Sequence, residues 1–443
     1  MSKTKALPKE SPSLNFAIQG GQKLHGAVTV KKSKNAAVAL LCASLLNKGK
    51  TTLCKVPKIE EVFRLIEVLA SIGVSVTWEG EDLVLNPGKV DPKKINVASA
   101  EKTRSAILMI GPLLHLFKTF SLPHAGGCKM GSRIVSPHFY ALENLGVSIK
   151  TETDKYKISV PKKLKASEII LYEMGDTVTE NALLAAAKIE GTTTIKFASS
   201  NYMVQDLCHF LIALGVSIKG IGTSTLTITG KKEIDQDITF EMSEDPIEAM
   251  FFLTAAITTG SSITIKKCPI DFLELELLKL KMMGFKYTTL REYKGENGYV
   301  NLVDIKTAPS KLKALPEKIH ALPYPGINID NLPFFAVIAT QAEGETLIHD
   351  WVFEGRAIYY TELEKLGADV TLADPHRVFV KGQTPLKGAK VVTPPALRPA
   401  AIIMIAMLAA KGRSVLLNVY SINRGYEDLA NRLNLLGAKI KVC

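Results

Sequence analysis

The chain of 443 residues repeats one pattern six times, and this repetition restricts its fold more than any other feature. Each copy has an apolar helical stretch, a small-residue–Gly step, a short β segment, a second helix and a β-hairpin, as in NALLAAAKIEGTTTI followed by FLIALGVSI. The period is roughly seventy residues. One copy, ILMIGPLLHLFKTFSL followed by ALENLGVSI, is modified. Two helices plus strands in every copy predict an α/β protein.

A glycine marks the end of the second helix in each copy. These glycines are Gly73, Gly146, Gly215, Gly284, Gly367 and Gly437. Glycine accepts the left-handed conformation that ends a helix, because it has no Cβ to clash with the backbone. Runs rich in β-branched residues follow, such as VSVTW and VSIK, and these favour a pleated sheet. Three units in each of two domains would divide the chain near residue 243.

The composition is that of a globular protein. Apolar residues make up 47% and charged residues 22% of the chain, and no apolar run is long enough to span a bilayer. Residues 1–13 are polar and lack the apolar segment of a signal peptide. The six cysteines are scattered, without a CxxC or Cys/His cluster. A reduced cytosolic protein without a metal site is therefore expected.

The net charge of +12 has two interpretations, a nucleic-acid surface or a site for a small anion. The lysines are spread along the chain, and there is no arginine-rich stripe with interleaved aromatic residues. This distribution favours the small anion. A nucleic-acid-binding repeat protein remains an alternative that only the net charge supports.

Several cations occur where helices are predicted to begin. Lys34 and Asn35 in KKSKNAAVALLCASLL precede an apolar run, where lysine, free amides and the helix dipole would attract an anion. A solvated cap without a function is the alternative. Arg104, Arg398 and Arg424 each precede an apolar helical face. An arginine beside a helix N-terminus is unfavourable unless an anion intervenes, so these three indicate one shared anion.

The segment SLPHAGGCKMGSRIVSPH is predicted to be a loop with a reactive thiol. Gly127 and Lys129 flank Cys128, and Arg133 follows five residues later. Positive, accessible surroundings lower the pKa of a thiol and make it reactive. A free surface cysteine on a glycine-rich turn is the alternative.

Asp330 ends the irregular, proline-rich segment ALPYPGINIDNLPFF and precedes an apolar helix. A carboxylate there could accept a proton from a substrate hydroxyl. It could equally be the N-cap of that helix. The preceding Lys/Pro-rich TAPSKLKALPEKIHALPYPG lengthens this repeat and predicts an insertion or an extended active-site segment.

Together and in this order, these segments resemble the UDP-N-acetylglucosamine enolpyruvyl transferases, which begin bacterial peptidoglycan synthesis. The similarity runs from GGQKLHGAVTV to RGYEDLANRLNLLGAKI, and its marks are SKNAA, TRSAI with GPLL, GGCKMGSR, YPGINID, WVFEGR and INRGYE. It implies two inside-out α/β barrel domains, each built of three repeated βαβαββ-type units. Residues 1–33 with 244–443 would form the catalytic domain, and residues 34–243 a second domain with the cysteine loop at about 121–136.

The resemblance also implies a reaction, in which the enolpyruvyl group of phosphoenolpyruvate moves to the 3-hydroxyl of UDP-N-acetylglucosamine through a tetrahedral ketal and phosphate is released. Cys128 would be the general acid and form an adduct with phosphoenolpyruvate, Asp330 would take the hydroxyl proton, and Lys34 and Arg424 would complete the catalytic set. The phosphoenolpyruvate ligands would be Lys34, Arg104, Arg133, Arg398 and Arg424. The sugar-nucleotide ligands would be Asn35, Arg104, Asp330, Val352 and Phe353.

The family likeness further implies a monomeric cytoplasmic enzyme that uses no metal or other cofactor, binds neither nucleic acid nor membranes, and is a target of fosfomycin. One departure concerns the reaction centre, because Ala396 stands where the family usually has an aspartate. Two alternatives stay open. The first is 3-phosphoshikimate enolpyruvyl transferase, which lacks the cysteine loop, and the second is a non-catalytic paralogue that binds a nucleotide sugar.

Overall fold

A computed structural model describes residues 14–124, 126 and 134–443. Two of the predicted site residues, Cys128 and Arg133, lie outside the described residues. The cysteine loop therefore stays a prediction from the sequence.

The helices follow the repeat. The α-helices are α1 (Lys34–Ala43), α2 (Glu60–Ser71), α3 (Val97–Ala100), α4 (Ile110–Leu113), α5 (Ser136–Glu143), α6 (Asp176–Ala186), α7 (Tyr202–Ala213), α8 (Pro246–Thr259), α9 (Glu274–Met282), α10 (Leu332–Ala339), α11 (Leu397–Ala409), α12 (Tyr420–Asn423) and α13 (Leu429–Leu435). The 3-10 helices are Ser44–Leu46, Pro92–Lys94, Arg104–Met109, Ile270–Phe272 and Ala357–Leu366. In the modified repeat, the first helix is a 3-10 turn followed by the four-residue α4.

The strands are short, and most of them alternate between buried and exposed residues. They are β1 (Phe16–Gln19), β2 (Ala27–Thr29), β3 (Thr51–Cys54), β4 (Ser75–Glu79), β5 (Asp82–Asn86), β6 (Thr119–Pro123), β7 (Ser148–Thr151), β8 (Lys155–Ser159), β9 (Glu168–Ile170), β10 (Thr192–Lys196), β11 (Ser217–Lys219), β12 (Thr225–Thr229), β13 (Ile238–Glu241), β14 (Thr264–Pro269), β15 (Lys286–Lys294), β16 (Asn301–Ala308), β17 (Leu312–Lys313), β18 (Ile319–His320), β19 (Ala342–His349), β20 (Asp369–Asp374), β21 (Arg377–Gly382), β22 (Lys390–Val392), β23 (Arg413–Leu417) and β24 (Lys439–Val442).

The strands pair in two separate groups. One group has the sheets β13-β3-β5-β4, β6-β8-β7 and β11-β12-β10-β9. The other has β22-β23-β1-β24, β15-β16-β14-β2 and β17-β19-β21-β20, with β18 beside β19. Among the described residues, no sheet mixes strands of the two groups. This arrangement confirms the predicted two-domain α/β fold, while the exact boundaries taken from the sequence stay a prediction.

The chain crosses between the two groups twice, in segments that lie antiparallel to each other. The backbone N–H of Ser33 donates to the carbonyl of Ser243 (2.9 Å), and that of Asp245 donates to the carbonyl of Lys31 (2.9 Å). The Lys32 side chain is buried between Glu241 and Glu244. Because α1 begins directly after one crossing and α8 directly after the other, both helices start at the junction of the groups.

The helices form the interior, as the inside-out architecture requires. Every residue of α8 and α10 is buried, and these two helices pack against α11 and against each other. In the other group, α1 packs on the 3-10 helix Arg104–Met109, which packs on α6. Helices that are apolar all round must be enclosed, so the sheets lie outside them. No helix of the described residues is long and apolar enough to cross a membrane.

The glycines that end the second helices adopt the predicted left-handed conformation. All six have positive φ, from 88° at Gly367 to 105° at Gly73. The proline-rich segment before Asp330 contains β17 and β18, which pair in parallel with β19. The insertion is therefore part of a sheet and leads directly to the candidate site.

Gly284→Ala tests how strongly this turn specifies the fold. Gly284 has φ of +99°, and an added Cβ would lie 2.8 Å from the Lys311 carbonyl oxygen. Because strain and a steric clash combine there, the substitution should cost about 3 kcal/mol in unfolding free energy. Gly80→Ala is the control, since its φ is +68° with no atom near the added Cβ, and about 1 kcal/mol is expected. Equal losses in urea denaturation would contradict the role of the contact.

Candidate active site

Asp330 lies between two arginines at the end of the proline-rich segment. Arg398 Nη2 donates to Asp330 Oδ2 at 3.1 Å, and Arg356 Nη1 lies 3.9 Å from Oδ1. The N-cap of α10 is Asn331, so the Asp330 side chain does not take the capping position that was its alternative interpretation. The carboxylate contacts side chains of α11 and of the segment after β19. Because it does not cap α10, it could accept a proton from a ligand.

The arginines and Lys34 keep the Asp330 carboxylate ionised. Burial alone would raise its pKa, but the charges of Arg398, Lys34 and Arg356 outweigh burial and hold the pKa at about 2. The group is therefore an anion throughout the neutral range. In the isolated protein it is a weak base, because basicity falls with pKa.

Arg398 is almost fully buried near the start of α11. Its Nη1 donates to the hydroxyl of Tyr426 at 3.0 Å, and its guanidinium lies over that ring at 5.5 Å. Burial lowers its pKa, but Tyr426 and Asp330 reverse this effect and raise the pKa overall. The N-cap of α11 is Ala396, which is buried and has no side-chain oxygen for the free backbone N–H groups. The predicted position of Arg398 at a helix start is confirmed.

Lys34 and Asn35 begin α1, as the sequence predicts. The Ser33 hydroxyl caps the helix by accepting from the Ala36 N–H, while the Lys34 N–H donates to Asp245 Oδ2 at 3.3 Å. Asn35 Nδ2 donates to the Tyr202 hydroxyl at 3.0 Å. These contacts fix the first turn of α1 beside the start of α8 and the N-terminus of α7.

The Lys34 ammonium belongs to the same electrostatic cluster as Asp330. Burial lowers its pKa, Glu61 opposes this shift, Arg398 and Arg424 lower the pKa further, and Asp330 raises it. A cation whose pKa is already depressed gains most from an added anion, because the anion restores the charged form. This position is therefore suited to a negatively charged ligand.

Arg424 joins the two groups of sheets through Glu61. Its Nε and Nη2 donate to Glu61 Oε2 at 3.1 and 2.6 Å, and the Thr103 hydroxyl donates to Oε1 at 2.6 Å. Arg424 follows the last residue of α12, so the prediction that it starts a helix is wrong. The short helix α12 ends inside the motif INRGYE, where the sequence suggested that a helix begins. Its charge still reaches the cluster, as the shift at Lys34 shows.

Arg104 follows Thr103 in the chain and contacts the end of the predicted cysteine loop. It is the first residue of the 3-10 helix Arg104–Met109, which Thr103 caps, and its Nη2 donates to the Ile134 carbonyl at 3.4 Å. Ile134 is the first described residue after the loop. Arg104 therefore contacts the backbone at the end of the predicted cysteine loop.

Val352 and Phe353 are half-buried in the segment between β19 and the 3-10 helix Ala357–Leu366. The guanidinium of Arg356 lies over the Phe353 ring at 4.4 Å. Arg356, which contacts the Phe353 ring and lies 3.9 Å from Asp330, connects this segment to the predicted base.

The site contains three charged residues that sequence reasoning did not select. Arg356 is the last residue of the motif WVFEGR, so the motif could have identified it. Glu61 carried no such signal, because its partners Thr103 and Arg424 are distant in the chain. Asp350 lies just before the same motif, six residues from its partner Arg356. Within the part of the chain that the structure describes, no group of His, Cys, Asp or Glu could hold a metal ion.

Known proteins share the sequence family and the fold of this chain. The sequence model for EPSP synthase (3-phosphoshikimate 1-carboxyvinyltransferase) matches residues 18–433. The chain belongs to this family of enolpyruvyl transferases. Curated relatives include a UDP-N-acetylglucosamine 1-carboxyvinyltransferase from Treponema denticola, 35% identical over 96% of this chain and 99% of the relative. Another, of the same name, from Borrelia garinii subsp. bavariensis, is 34% identical over 96% and 98%. The family predicted from the motifs is thus confirmed.

Solved enolpyruvyl transferases share the fold. The enolpyruvyl transferase NikO from Streptomyces tendae superposes with a TM-score of 0.84 at 23% identity, covering 97% of this chain and 99% of that one. EPSP synthase from Acinetobacter baumannii gives 0.73 at 20% identity, covering 97% and 100%. At these identities the similarity establishes the fold of this chain and not its substrate.

Glu61→Gln tests whether Glu61 is the counter-ion of the cluster. The change should destabilise the ligand-free protein by about 3 kcal/mol, because Arg424 and Lys34 lose a buried negative charge. The neighbouring Glu60→Gln is the matched control, since Glu60 pairs with Arg64 on a half-exposed surface and should cost less than about 1 kcal/mol. Unfolding in urea, followed by circular dichroism, measures both. Similar losses would show that Glu61 is an ordinary surface charge.

Proposed function

We propose that this chain transfers the enolpyruvyl group of phosphoenolpyruvate to the 3-hydroxyl of UDP-N-acetylglucosamine, with release of phosphate. The observation that carries the proposal is an ionised carboxylate, Asp330, held beside the cations Lys34 and Arg398 in a member of the enolpyruvyl transferase family. A base next to an anion cradle is what joining a hydroxyl to a charged enol phosphate requires. Full-length relatives at 32–35% identity carry the name of this activity.

The cations have the chemistry to bind phosphoenolpyruvate. In the proposal, Lys34 and Arg424 bind it together with Arg133 of the loop, and Arg398 and Arg104 contribute further positive charge. Guanidinium groups match carboxylate and phosphate oxygens in pairs, whereas the ammonium acts as a point charge. The substrate's negative charges would then replace Glu61 as the partner of Arg424.

Binding of this anion also makes Asp330 a better base. The low pKa of Asp330 depends on Arg398, Lys34 and Arg356. Phosphoenolpyruvate on Lys34 and Arg398 would cancel much of that positive field, so the pKa of Asp330 rises once the substrate is bound. The carboxylate would therefore gain basicity only when the acceptor hydroxyl has a reaction partner.

The proposed reaction adds and then eliminates. Asp330 takes the proton of the 3-hydroxyl while the hydroxyl oxygen bonds to C2 of phosphoenolpyruvate. Cys128 donates a proton to C3. The resulting tetrahedral ketal loses a proton from C3 and expels phosphate, which restores the double bond. Asn35, Arg104, Val352 and Phe353 would position the sugar nucleotide, and exclusion of water would protect phosphoenolpyruvate from hydrolysis.

We infer the cellular setting from the same reaction. The product would enter peptidoglycan synthesis, and the enzyme would be a cytoplasmic monomer without a metal or redox cofactor, sensitive to fosfomycin through Cys128. A second candidate acceptor is shikimate 3-phosphate, because the matching family model is described by that activity.

Phosphate release from phosphoenolpyruvate tests the proposed function directly. Release should require UDP-N-acetylglucosamine and should not occur with shikimate 3-phosphate. The two acceptors are compared with the same enzyme preparation by a coupled phosphate assay. Release with shikimate 3-phosphate alone would favour the second candidate, and no release with either would favour the binding paralogue.

Asp330→Asn tests the assignment of the base. The amide keeps an acceptor for Arg398 but cannot take a proton, so kcat should fall by about 10²- to 10⁴-fold. Asp374→Asn is the control, because Asp374 pairs with Arg377 on the β20–β21 hairpin and should leave kcat unchanged. Steady-state kinetics with both substrates measure the effect. Turnover of Asp330→Asn near the level of the control would move the base to another residue.

A further inference from the structure

The β15–β16 hairpin ends in a tip, residues 295–300, that reaches from one group of sheets to the other. The Tyr299 hydroxyl donates to Asp206 Oδ1 at 2.5 Å, and Asp206 lies on α7 in the other group. The Tyr299 ring also stacks on the ring of His209, three residues further along α7, with 3.8 Å between the ring centroids and 14° between the ring planes. The tip therefore contacts a helix of the other group through both a hydrogen bond and a stacked ring.

Asp206 also holds the second crossing of the chain between the two groups. It has no exposed surface, the Ser243 hydroxyl donates to its Oδ1 at 2.6 Å, and the Ser243 N–H donates to the same oxygen at 3.2 Å. The Ser243 carbonyl in turn accepts from the N–H of Ser33 in the first crossing. One carboxylate therefore joins the hairpin tip, α7 and the paired crossings.

The hydrogen bond from Tyr299 is made to a buried and charged acceptor. Burial raises the pKa of Asp206 to about 6, although the hydrogen bonds from Ser243 and Tyr299 and the charge of Lys32 oppose this effect. The carboxylate is therefore mostly ionised at neutral pH. A hydrogen bond to an ionised acceptor is stronger than one between neutral groups, and a buried acceptor that loses a donor costs free energy.

A second contact of the tip with the other group is an exposed ion pair. Glu296 pairs with Lys55, which follows β3 in the other group, and with Lys267 of its own group at 3.0 Å. The Glu296 side chain is 50% exposed. Water screens such pairs, so they contribute little to stability. The link between the groups at this tip therefore depends mainly on Tyr299.

The backbone of the tip presents Tyr299 from a closed turn. The Gly295 N–H donates to the Val300 carbonyl at 2.8 Å, and the Gly298 N–H donates to the Gly295 carbonyl at 2.9 Å. Gly298 has φ of +79°, which glycine adopts without strain. These bonds order the tip independently of the contact with α7.

Helix α7 connects this contact to the candidate site. Its first residue, Tyr202, is fully buried, and the Tyr202 hydroxyl accepts from Asn35 Nδ2 at 3.0 Å. Just before α7, the Ser200 hydroxyl donates to the Tyr324 carbonyl, in the proline-rich segment of the other group, at 3.2 Å. The other group thus contacts α7 beside the crossings, through the hairpin tip, and the residues before α7 near the site.

We propose that the tip of the β15–β16 hairpin is a latch that holds the two groups of sheets, through Tyr299 and Asp206, in the arrangement that assembles the candidate site. Lys34 comes from one group and Asp330 and Arg398 from the other, so the anion site is complete only while the groups keep this arrangement. When a binding-competent arrangement is only partly populated, the apparent affinity falls by that fraction. The latch goes beyond the proposed function, because it does not depend on which acceptor the chain uses.

The experiment compares Tyr299→Phe with the matched control Tyr293→Phe in the full, ligand-free chain. Tyr293 lies on the same hairpin, is also half-buried, and its hydroxyl donates to the carboxylate of Asp304 at 2.8 Å, but that contact stays within one group. Hydrogen exchange is followed by mass spectrometry in peptides that cover residues 31–35 and 241–246. Tyr299→Phe should speed exchange in both peptides about tenfold, because the crossings open more often, whereas Tyr293→Phe should change it less than twofold.

The inner strands β12 and β21 report on unfolding of each group as a whole, and they should exchange at the wild-type rate in both variants. Equal exchange at the crossings in Tyr299→Phe and Tyr293→Phe overturns the proposal. Faster exchange in Tyr299→Phe that extends equally to β12 and β21 also overturns it, because the hydroxyl would then stabilise the whole chain and not the link between the groups.

Steady-state kinetics give a second readout. In the proposed reaction, Tyr299→Phe should raise the KM for phosphoenolpyruvate about 3- to 10-fold with kcat within about threefold, and Tyr293→Phe should leave both unchanged. An unchanged KM in Tyr299→Phe overturns the proposed link between the latch and the site. A wild-type chain without turnover, together with faster exchange at the crossings in Tyr299→Phe, would instead reject the proposed function and keep the latch.

Discussion

Several positive side chains lie close together between the two groups of sheets, and the site depends on balancing their mutual repulsion. Arg398 and Arg424 both repel the charge of Lys34, and Arg398 is almost fully buried. Asp330 and Glu61 offset this repulsion, because each carboxylate interacts electrostatically with more than one of the cations. Since Glu61 belongs to one group of sheets and Arg424 to the other, the same electrostatic balance also ties the two groups together.

This balance explains how a charged substrate can be bound and used. In the proposed function, an incoming anion would replace carboxylates that already neutralise the cations. These carboxylates allow the cations to lie close together before the anion binds, although displacing them reduces the free energy gained on binding. The anion also weakens the field that holds the Asp330 pKa low. Binding and activation of the base then follow from one change in charge. A site with fewer cations would have a stronger base in the empty state but a weaker grip on phosphoenolpyruvate.

The sequence predicted the features that depend on local chemistry. The six glycines end their helices because only glycine accepts that conformation without strain, and Lys34 begins α1 because an apolar helical run follows it. Contacts between distant segments were not predictable in the same way. Arg424 was placed at the wrong end of a helix, since α12 is too short to show a period, and the partnership with Glu61 joins residues far apart in the chain. Long-range pairing needs the fold, which periodicity alone does not supply.

Ala396 leaves the start of α11, next to Arg398, without a polar side chain. The buried methyl group offers no oxygen to the start of α11, and Arg398 Nε is buried without a partner among the described residues. Ala396 has no carboxylate that could accept from this donor. The family resemblance implies a carboxylate at position 396, and with Ala396 there the charge of Arg398 is opposed by Asp330 and Asp245. Arg398 donates to Oδ2 of Asp330 on one side, and Arg356, which is paired with Asp350, lies 3.9 Å from Oδ1 on the other.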